Sequence, residues 1–212
     1  MRFYKVSSFI QRYFHRYTWR MNPREKFIYL TFDDGPHDVA TPEVLDILKN
    51  FNIPATFFCV GENVQNYPNV MERIVSEGHS IGNHTQNHLK GWTCPSKKYL
   101  ENTQIAAIGL SAYTKSNLFR PPYGRIRKQQ ATELLKKGYK IIMWDILTYD
   151  YDNTLNIQSC IDAISRKSRN GSIVVFHDSL KSRNQTIKIL PVYIQNMLNL
   201  GYQFKSLNSC FS

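Results

Sequence analysis

Short apolar runs alternate along the chain with longer segments in which apolar residues recur at helical spacing. The short runs predict strands, because four to eight apolar residues between turn residues are typical of buried strands. Seven strands are expected, at 27–32, 55–60, 79–84, 118–122, 140–146, 172–178 and 202–207. Helical segments between successive strands are typical of a parallel sheet, so we expect an α/β fold with about seven parallel strands. Such strands either close into a barrel or form an open, doubly wound sheet.

Proline and cysteine positions add two local expectations. Pro191 lies inside the last helical segment and is expected to kink or interrupt it. The four cysteines are far apart and form no zinc-binding or redox motif, so we expect reduced, mostly buried thiols. These are Cys59, Cys94, Cys160 and Cys210.

Reactive side chains follow the carboxyl ends of the predicted strands. In both candidate folds these ends meet at one edge of the sheet, where active sites are built. We therefore expect side chains that are remote in sequence to meet above one rim. They are Asp33, Asp34, His84, His88, Arg120, Tyr123, Asp145, Asp150, His177 and Asp178.

Composition and charge narrow the class of protein. A chain of 212 residues with 42% hydrophobic and 20% charged residues fits one globular domain and excludes a disordered or fibrous class. The net charge of +11 favours anionic partners. Basic residues are scattered rather than grouped, so nucleic-acid binding is not expected as the main purpose.

Residues 1–26 form a basic, aromatic extension before the first strand. They lack the apolar core and cleavage site of a signal peptide, and no transmembrane run follows elsewhere. The simpler interpretation is a helix packed across the bottom of the domain, and the alternative is a basic amphipathic helix that lies on a membrane surface. We expect a protein of the cytoplasm or of the periphery of the cell envelope.

His84 and His88 are four residues apart, so on one helical turn they can bind a single metal ion. A carboxylate from the end of the first strand would complete a set of three ligands with one open position, which is typical of catalytic zinc. Taken singly, two histidines in a loop or an Asp-Asp-Gly turn would explain each feature. Two adjacent carboxylates repel each other, however, and each needs a partner if both are ionised.

Five segments carry a family resemblance, in the order "TFDDGP", "HTQNH", "RPPYG", "WDILTYDYD" and "IVVFHD", between residues 31 and 178. They resemble the five motifs of polysaccharide deacetylases of carbohydrate esterase family 4, the NodB homology domain. The resemblance implies a distorted (β/α) barrel over residues 27–212. It also implies one divalent metal ion, expected to be zinc, with cobalt or nickel able to substitute.

The resemblance implies a role for each matching residue. Asp34, His84 and His88 would hold the metal ion. Asp33 would be the general base that takes a proton from the attacking water, and Arg120 would pair with it and orient it. The backbone N–H of Tyr123 would stabilise the oxyanion, and His177 would be the general acid.

Other matching residues would support these groups or contact the substrate. Asp150 would orient His177, and the substrate-binding positions would be Pro122, Tyr151 and Val175, of which Val175 would line a pocket for the acetyl methyl group. The sequence departs from the usual pattern at Leu147, where an aspartate is common, and at Tyr151, where a tryptophan is common. No role is assigned to His37, Asp145 or Asp152.

The implied function is hydrolysis of N-acetyl groups from glycans that contain N-acetylglucosamine, such as peptidoglycan or chito-oligosaccharide, with release of acetate. Two alternatives remain open. The same site could act on an O-acetyl ester or a non-sugar amide, or the chain could be a glycan-binding module that has lost catalysis. A glycan is the expected partner, and a monomer is expected.

Overall fold

The structure, a computed structural model, describes residues 2–208, so Cys210 and the end of the predicted domain lie outside the described residues. Eight strands form one sheet. They are β1 (Phe27–Asp33), β2 (Thr56–Cys59), β3 (Ser80–Asn83), β4 (Leu118–Phe119), β5 (Lys140–Ile141), β6 (Ile146–Leu147), β7 (Ile173–His177) and β8 (Gln203–Phe204).

The sheet follows the order β5-β4-β3-β2-β1-β7-β6, and β8 pairs with the start of β1. Every pairing among these strands is parallel. The seven strands along this path curl into a half-barrel, which confirms the predicted α/β fold. The central strand β1 is buried along nearly its whole length, as its continuous apolar run requires when both faces of a parallel sheet are covered.

The predicted strand at 140–146 is wrong in one respect, because it is two short strands. β5 pairs with β4 and β6 pairs with β7, so the chain between them crosses from one edge of the sheet to the other. Part of the gap between the edges is filled by the N-terminal segment. The Thr18 N–H donates to the Ile141 carbonyl at 2.8 Å, and the Met21 N–H donates to the Gly171 carbonyl at 2.8 Å.

Eight helices accompany the strands in the described part of the chain. They are α1 (Ser8–Tyr13), α2 (Ala40–Asn50), α3 (Gly61–Asn66), α4 (Pro68–Ser76), α5 (Ser96–Leu110), α6 (Lys128–Lys136), α7 (Ile157–Lys167) and α8 (Leu180–Asn199). Pro191 does not interrupt α8. The helix buries Leu190 and Tyr193 on either side of the proline, and this packing offsets the ~3 kcal/mol that an interior proline costs.

Asp145, to which the sequence analysis assigned no role, binds the N-terminal segment to the barrel. Its buried carboxylate accepts hydrogen bonds from Ser172 at 2.7 Å, Gln11 at 2.9 Å and Arg169 at 3.2 Å. Burial alone would raise the pKa of Asp145, but these hydrogen bonds hold it below its usual value. The contacts are structural, and the boundary predicted at residue 26 stays a prediction.

Two further features of the described residues concern the cysteines and membrane-spanning helices. The thiols of Cys59, Cys94 and Cys160 are free and buried, as expected. Among residues 2–208, no helix combines the length and the apolar character needed to cross a bilayer.

Candidate metal centre and active site

The strand register brings the candidate residues to one rim of the half-barrel. Asp33, the last residue of β1, lies beside His177, the last residue of β7. Asn83 on β3 lies beside Phe119 on β4, so the next residues, His84 and Arg120, leave the sheet at the same level. Four strands of the sheet therefore deliver these side chains to one end of it.

Asp34, His84 and His88 form a cluster with the geometry of a metal site. Asp34 Oδ1 lies 3.6 Å from His84 Nε2 and 3.1 Å from His88 Nε2. The three potential ligand atoms all lie within 4.8 Å of one another. Two imidazole nitrogens and one carboxylate oxygen are a donor set typical of zinc and related divalent ions.

The surroundings of His84 fit a metal ligand. Its Nδ1 lies 2.8 Å from the Arg120 carbonyl oxygen, which can only accept, so Nδ1 carries the proton and the Nε2 lone pair faces Asp34. Burial lowers the pKa of His84 to about 4, which keeps the ring neutral near pH 7. A divalent cation would therefore be held by the Asp34 carboxylate and the two Nε2 atoms.

The backbone around this cluster is strained. Asp34, His88 and Tyr123 adopt φ values of 82°, 52° and 60°, in the left-handed region that non-glycine residues rarely occupy. Such conformations cost of order 1–3 kcal/mol each and concentrate at functional sites. The turn after Asp34 needs glycine for another reason, because a Cβ at Gly35 would overlap the Asp178 carboxylate.

The electrostatics of Asp34 also suit a ligand. Burial opposes its charge, but the hydrogen bond from His88 and the charged ring of His177 lower the pKa of Asp34 well below its usual value. The carboxylate is therefore ionised at neutral pH and available to a cation.

Asp33 points to a different partner. Its Oδ1 accepts from Arg120 Nη1 at 2.6 Å, and both side chains are almost completely buried. The adjacent carboxylates of Asp33 and Asp34 thus have separate partners, which are Arg120 for Asp33 and the two histidines of the cluster for Asp34. The predicted pairing of Arg120 with Asp33 is present in the structure, whereas the role of Asp33 as a base stays a prediction.

Arg120 is held in place from several sides. It donates to the Thr31 hydroxyl at 2.8 Å and to the Met143 carbonyl at 3.0 Å, and its guanidinium lies 4.1 Å from the centre of the Phe58 ring. Burial lowers the pKa of Arg120, although Asp33 opposes this effect. A guanidinium with this many fixed donors can orient the Asp33 carboxylate rigidly.

His177 forms a charged pair with Asp150. Its Nδ1 lies 2.7 Å from Asp150 Oδ1, and its backbone N–H donates to Asp150 Oδ2 at 2.7 Å. Burial alone would lower the pKa of His177, but the Asp150 carboxylate, with Asp34 and Asp33, raises it to about 9. The Thr186 hydroxyl also donates to Asp150 at 2.7 Å. Sequence reasoning missed Thr186, which lies inside α8.

Tyr123 lines the cavity beside the cluster. Its ring centre lies 4.6 Å from that of His88, and the side chain is exposed. Within residues 2–208, the Tyr123 N–H has no protein acceptor. An N–H without an acceptor beside a metal cluster is available to an oxyanion, which is the role predicted for it.

The cluster opens into a cavity of about 470 Å³. Val175 and Tyr151 line it, and the Tyr151 ring stands edge-on to His177 at 5.0 Å, whereas contact of the two residues with substrate stays a prediction. Pro122 is buried before Tyr123 and does not line the cavity, so its contact with substrate stays a prediction. Five further lining residues were not identified as cavity residues from the sequence. They are Gly124, Arg125, Trp144, Ser179 and Lys181.

The remaining unassigned residues have structural contacts. The backbone N–H of His37 donates to the Thr41 hydroxyl, which donates in turn to the buried Asp178. Asp152 pairs with Arg2 at 2.5 Å, which lowers the pKa of Asp152 to about 2. Neither residue lines the cavity.

Comparison with known proteins agrees with this geometry. The polysaccharide deacetylase profile matches residues 20–142. A peptidoglycan-N-acetylglucosamine deacetylase of Bacillus cereus is 32% identical over 90% of this chain and 91% of its own length. A chitooligosaccharide deacetylase of Bradyrhizobium is 29% identical over 85% of this chain and 88% of its own.

A solved structure is similar over almost the whole chain. The crystal structure of a peptidoglycan N-acetylglucosamine deacetylase in complex with 4-naphthalen-1-yl-N-oxidanyl-benzamide superposes with a TM-score of 0.89 and 28% identity. The match covers 96% of both chains. Together with the matching profile and relatives, this similarity shows that the chain belongs to the polysaccharide deacetylase family of carbohydrate esterases with a NodB homology domain.

Proposed function

We propose that this protein is a metal-dependent hydrolase that removes N-acetyl groups from N-acetylglucosamine units of a glycan and releases acetate. The observation that carries the proposal is the set of side chains that meet in one cavity. It combines a cluster of metal-ligand type with a carboxylate held by a buried arginine and a histidine charged by a buried aspartate. Those are the groups that amide hydrolysis by an activated water requires.

The ligands Asp34, His84 and His88 would bind one divalent ion, with zinc expected. When bound, such an ion supplies Lewis acidity that activates water and polarises the acetamide carbonyl. Asp33 accepts the proton of the attacking water, because Arg120 holds the carboxylate in place without donating to its free oxygen. The Tyr123 N–H donates to the oxygen that becomes negative in the tetrahedral intermediate, which is worth about 3 kcal/mol in comparable sites.

His177 completes the reaction by donating a proton to the leaving nitrogen. The carbon–nitrogen bond then breaks, and acetate and a free amine are released. An amine must be protonated to leave, whereas an ester alkoxide leaves more readily, so a histidine that stays charged near neutral pH favours an amide substrate. The names of the Bacillus and Bradyrhizobium relatives support a glycan that carries N-acetylglucosamine.

A comparison of two acetylated polymers tests the substrate assignment. Zinc-loaded protein is expected to release acetate from a peptidoglycan fragment or a chito-oligosaccharide, and to leave a free amine for each acetate. Acetylated xylan, which offers only esters, is the control. Faster release from xylan would instead support an O-acetyl esterase, and glycan binding without any turnover would support a binding module.

The Asp150 carboxylate sets the alkaline limit of activity. The pKa of His177 is raised above its ordinary value of 6.5 to about 9, so the proton needed for catalysis is present below that pH and is lost as the pH rises through it. Asp150→Asn removes the raising charge. We expect the alkaline limb of kcat/KM to move to lower pH by about one to three pH units.

The pH profile of Asp150→Asn is compared with that of the exposed control Asp162→Asn. The control also removes one carboxylate charge, but from α7 and away from the cavity. We expect its pH profile to match that of the parent. A variant at Asp150 whose alkaline limb coincides with that of the parent would contradict the assignment of His177 as the acid.

Two cations at the rim of the cavity favour a glycan that carries carboxylates. Arg125 lies 5.0 Å from the Trp92 ring, and Lys181 Nζ lies 5.5 Å from the Tyr151 ring. Neither forms an ion pair with a described acidic residue. Both therefore remain available to an acidic substrate such as peptidoglycan, whereas neutral chito-oligosaccharide offers them no charge.

Removing both rim cations should change substrate preference. We expect Arg125→Gln with Lys181→Gln to raise KM for peptidoglycan fragments by about tenfold, since each exposed charge contact is worth up to ~1 kcal/mol. KM for neutral chito-oligosaccharide should not change. Lys97→Gln with Lys136→Gln, on α5 and α6, is the matched control, and an equal effect of the rim variant on both glycans would refute the preference.

A further inference from the structure

The short helix α1 turns its polar side toward the barrel. Gln11 donates from its side-chain amide to the Val6 carbonyl at 3.1 Å and to Asp145 Oδ1 at 2.9 Å. At 3.6 residues per turn, positions 9 and 13 both lie about 160° away from position 11. Phe9 and Tyr13 occupy them and are 77% and 70% exposed. The amphipathic character of α1 is thus inverted, with the aromatic side facing solvent.

Neighbouring residues extend this surface. Ile10 and Phe14 are 42% and 44% exposed, and the rings of Tyr13 and Phe14 lie 4.9 Å apart. We call Phe9, Ile10, Tyr13 and Phe14 the aromatic patch. No residue of α1 is buried, so the helix adds little to the core of the domain. A contiguous exposed apolar surface of this kind marks an interaction site.

Positive charge surrounds the aromatic patch. Residues 1–26 contain seven Lys and Arg residues and one acidic residue, Glu25. Arg12 and Arg16, which flank the patch, form no ion pair with the described acidic residues. At a membrane surface, aromatic side chains can enter the apolar boundary of the acyl chains, and unpaired arginines beside them can bind the anionic headgroups.

We propose that α1 docks on the surface of an anionic lipid bilayer. The aromatic patch enters the boundary between headgroups and acyl chains, and Arg12 and Arg16 contact lipid phosphates. The strong positive charge of residues 1–26 selects an anionic bilayer over a neutral apolar groove on another protein. Docking of this kind requires no spanning helix, and it does not depend on the chemistry proposed for the cavity.

The chain that leads into α1 contacts the domain beside the cavity wall. The chain before α1 pairs with β6 in the antiparallel sense at Lys5 and Ile146. Just before this pairing, the Phe3 carbonyl accepts from the hydroxyl of Tyr149, whose ring packs near that of Tyr151 in the cavity wall. Because the pairing at Lys5 is antiparallel, the chain leads away from the carboxyl end of β6, where the cavity lies, before it enters α1.

Co-sedimentation of the full chain with lipid vesicles tests the proposal. We expect binding to vesicles of phosphatidylglycerol and phosphatidylcholine in equal parts, weaker binding in high salt, and little binding to phosphatidylcholine alone. Phe9→Ser with Tyr13→Ser should weaken binding by at least about tenfold, since burial of each aromatic side chain is worth more than a tenfold change in affinity. Arg12→Gln with Arg16→Gln should weaken it by about tenfold on the anionic vesicles only.

The control variant is Ile105→Ser with Ile108→Ser, which removes two exposed apolar side chains from α5 and should bind vesicles as the parent does. All variants change exposed residues, so their thermal unfolding should match the parent. The proposal is overturned if the parent does not bind anionic vesicles, or if the patch variant binds as tightly as the control. It is also overturned if the patch variant instead changes the sedimentation coefficient of the free protein, which would assign the patch to a contact between two copies.

Discussion

Replacing Asp33 with asparagine is expected to lower kcat/KM for acetate release by about 10²- to 10⁴-fold, the contribution typical of a general base. Asparagine keeps the shape of the side chain and an oxygen that can accept from Arg120 Nη1, which lies 2.6 Å away in the parent. It cannot take a proton from water. Because Asp33 is not in the ligand cluster, zinc content should stay at the parent level, which separates loss of the base from loss of the metal.

Protein stability is a second readout for Asp33→Asn. Arg120 is fully buried, and a buried cation that loses its anion costs about 3–5 kcal/mol, so a lower midpoint of thermal unfolding is expected. If the asparagine variant does not fold, Asp33→Glu keeps the charge beside Arg120 but moves the carboxylate, and it should fold with reduced activity. Asp38→Asn, an exposed change in the next loop, is the control. Acetate release by a folded, zinc-loaded Asp33→Asn variant within tenfold of the parent would refute the role of Asp33.

Removing a metal ligand should abolish both metal binding and activity. His88→Ala deletes one of the three atoms that lie within 4.8 Å of one another. Mutation of a residue that only hydrogen-bonds to a metal ligand lowers metal affinity by roughly 10- to 100-fold. Removal of the ligand itself is expected to lower zinc affinity by more than this. Since a bound ion supplies several kcal/mol of transition-state stabilisation, acetate release should fall by about 10³-fold or more.

The matched control for His88→Ala is His37→Ala. His37 lies on the loop after Asp34, and its side chain contacts Asp38, the Val39 N–H and the Tyr67 ring. We expect it to bind zinc and release acetate as the parent does. Full zinc occupancy in His88→Ala, measured by metal analysis after dialysis, would show that the cluster is not the metal site.

The general plan of the fold and of the rim could be predicted from the sequence because both follow from local patterns. Apolar runs separated by helical periods predict parallel strands, and strand ends share an edge. His84, Arg120 and His177 could therefore be placed near Asp33 before any coordinates were known. Their chemical roles rest on the family resemblance and remain predictions.

Groups that depend on contacts remote in sequence could not be predicted. Thr186 supports Asp150 from the interior of α8, and Thr31 supports Arg120 from the middle of β1. Each lies in a regular element where a threonine has no distinctive local signature. The same holds for residues 18–21, whose hydrogen bonds to the edges of the sheet leave no alternating pattern in the sequence.

The backbone conformation of the site and the residues that line the cavity also could not be predicted from the sequence. The left-handed φ values of Asp34 and His88 are held by the surrounding structure, because even Asp and His, which enter that region more often than most residues, adopt it only in a minority of positions. Trp144 reaches the cavity because the chain between β5 and β6 crosses from one edge of the sheet to the other. A single continuous strand at 140–146 would not make that crossing.

A zinc titration with simultaneous measurement of acetate and free amine tests the proposed reaction most directly. Metal-free protein is supplied with increasing zinc and a peptidoglycan fragment that contains N-acetylglucosamine. The proposed reaction predicts that acetate release rises until one zinc ion is bound per chain, with one amine formed for each acetate. Acetate release that is independent of zinc, or that leaves no free amine, would contradict it.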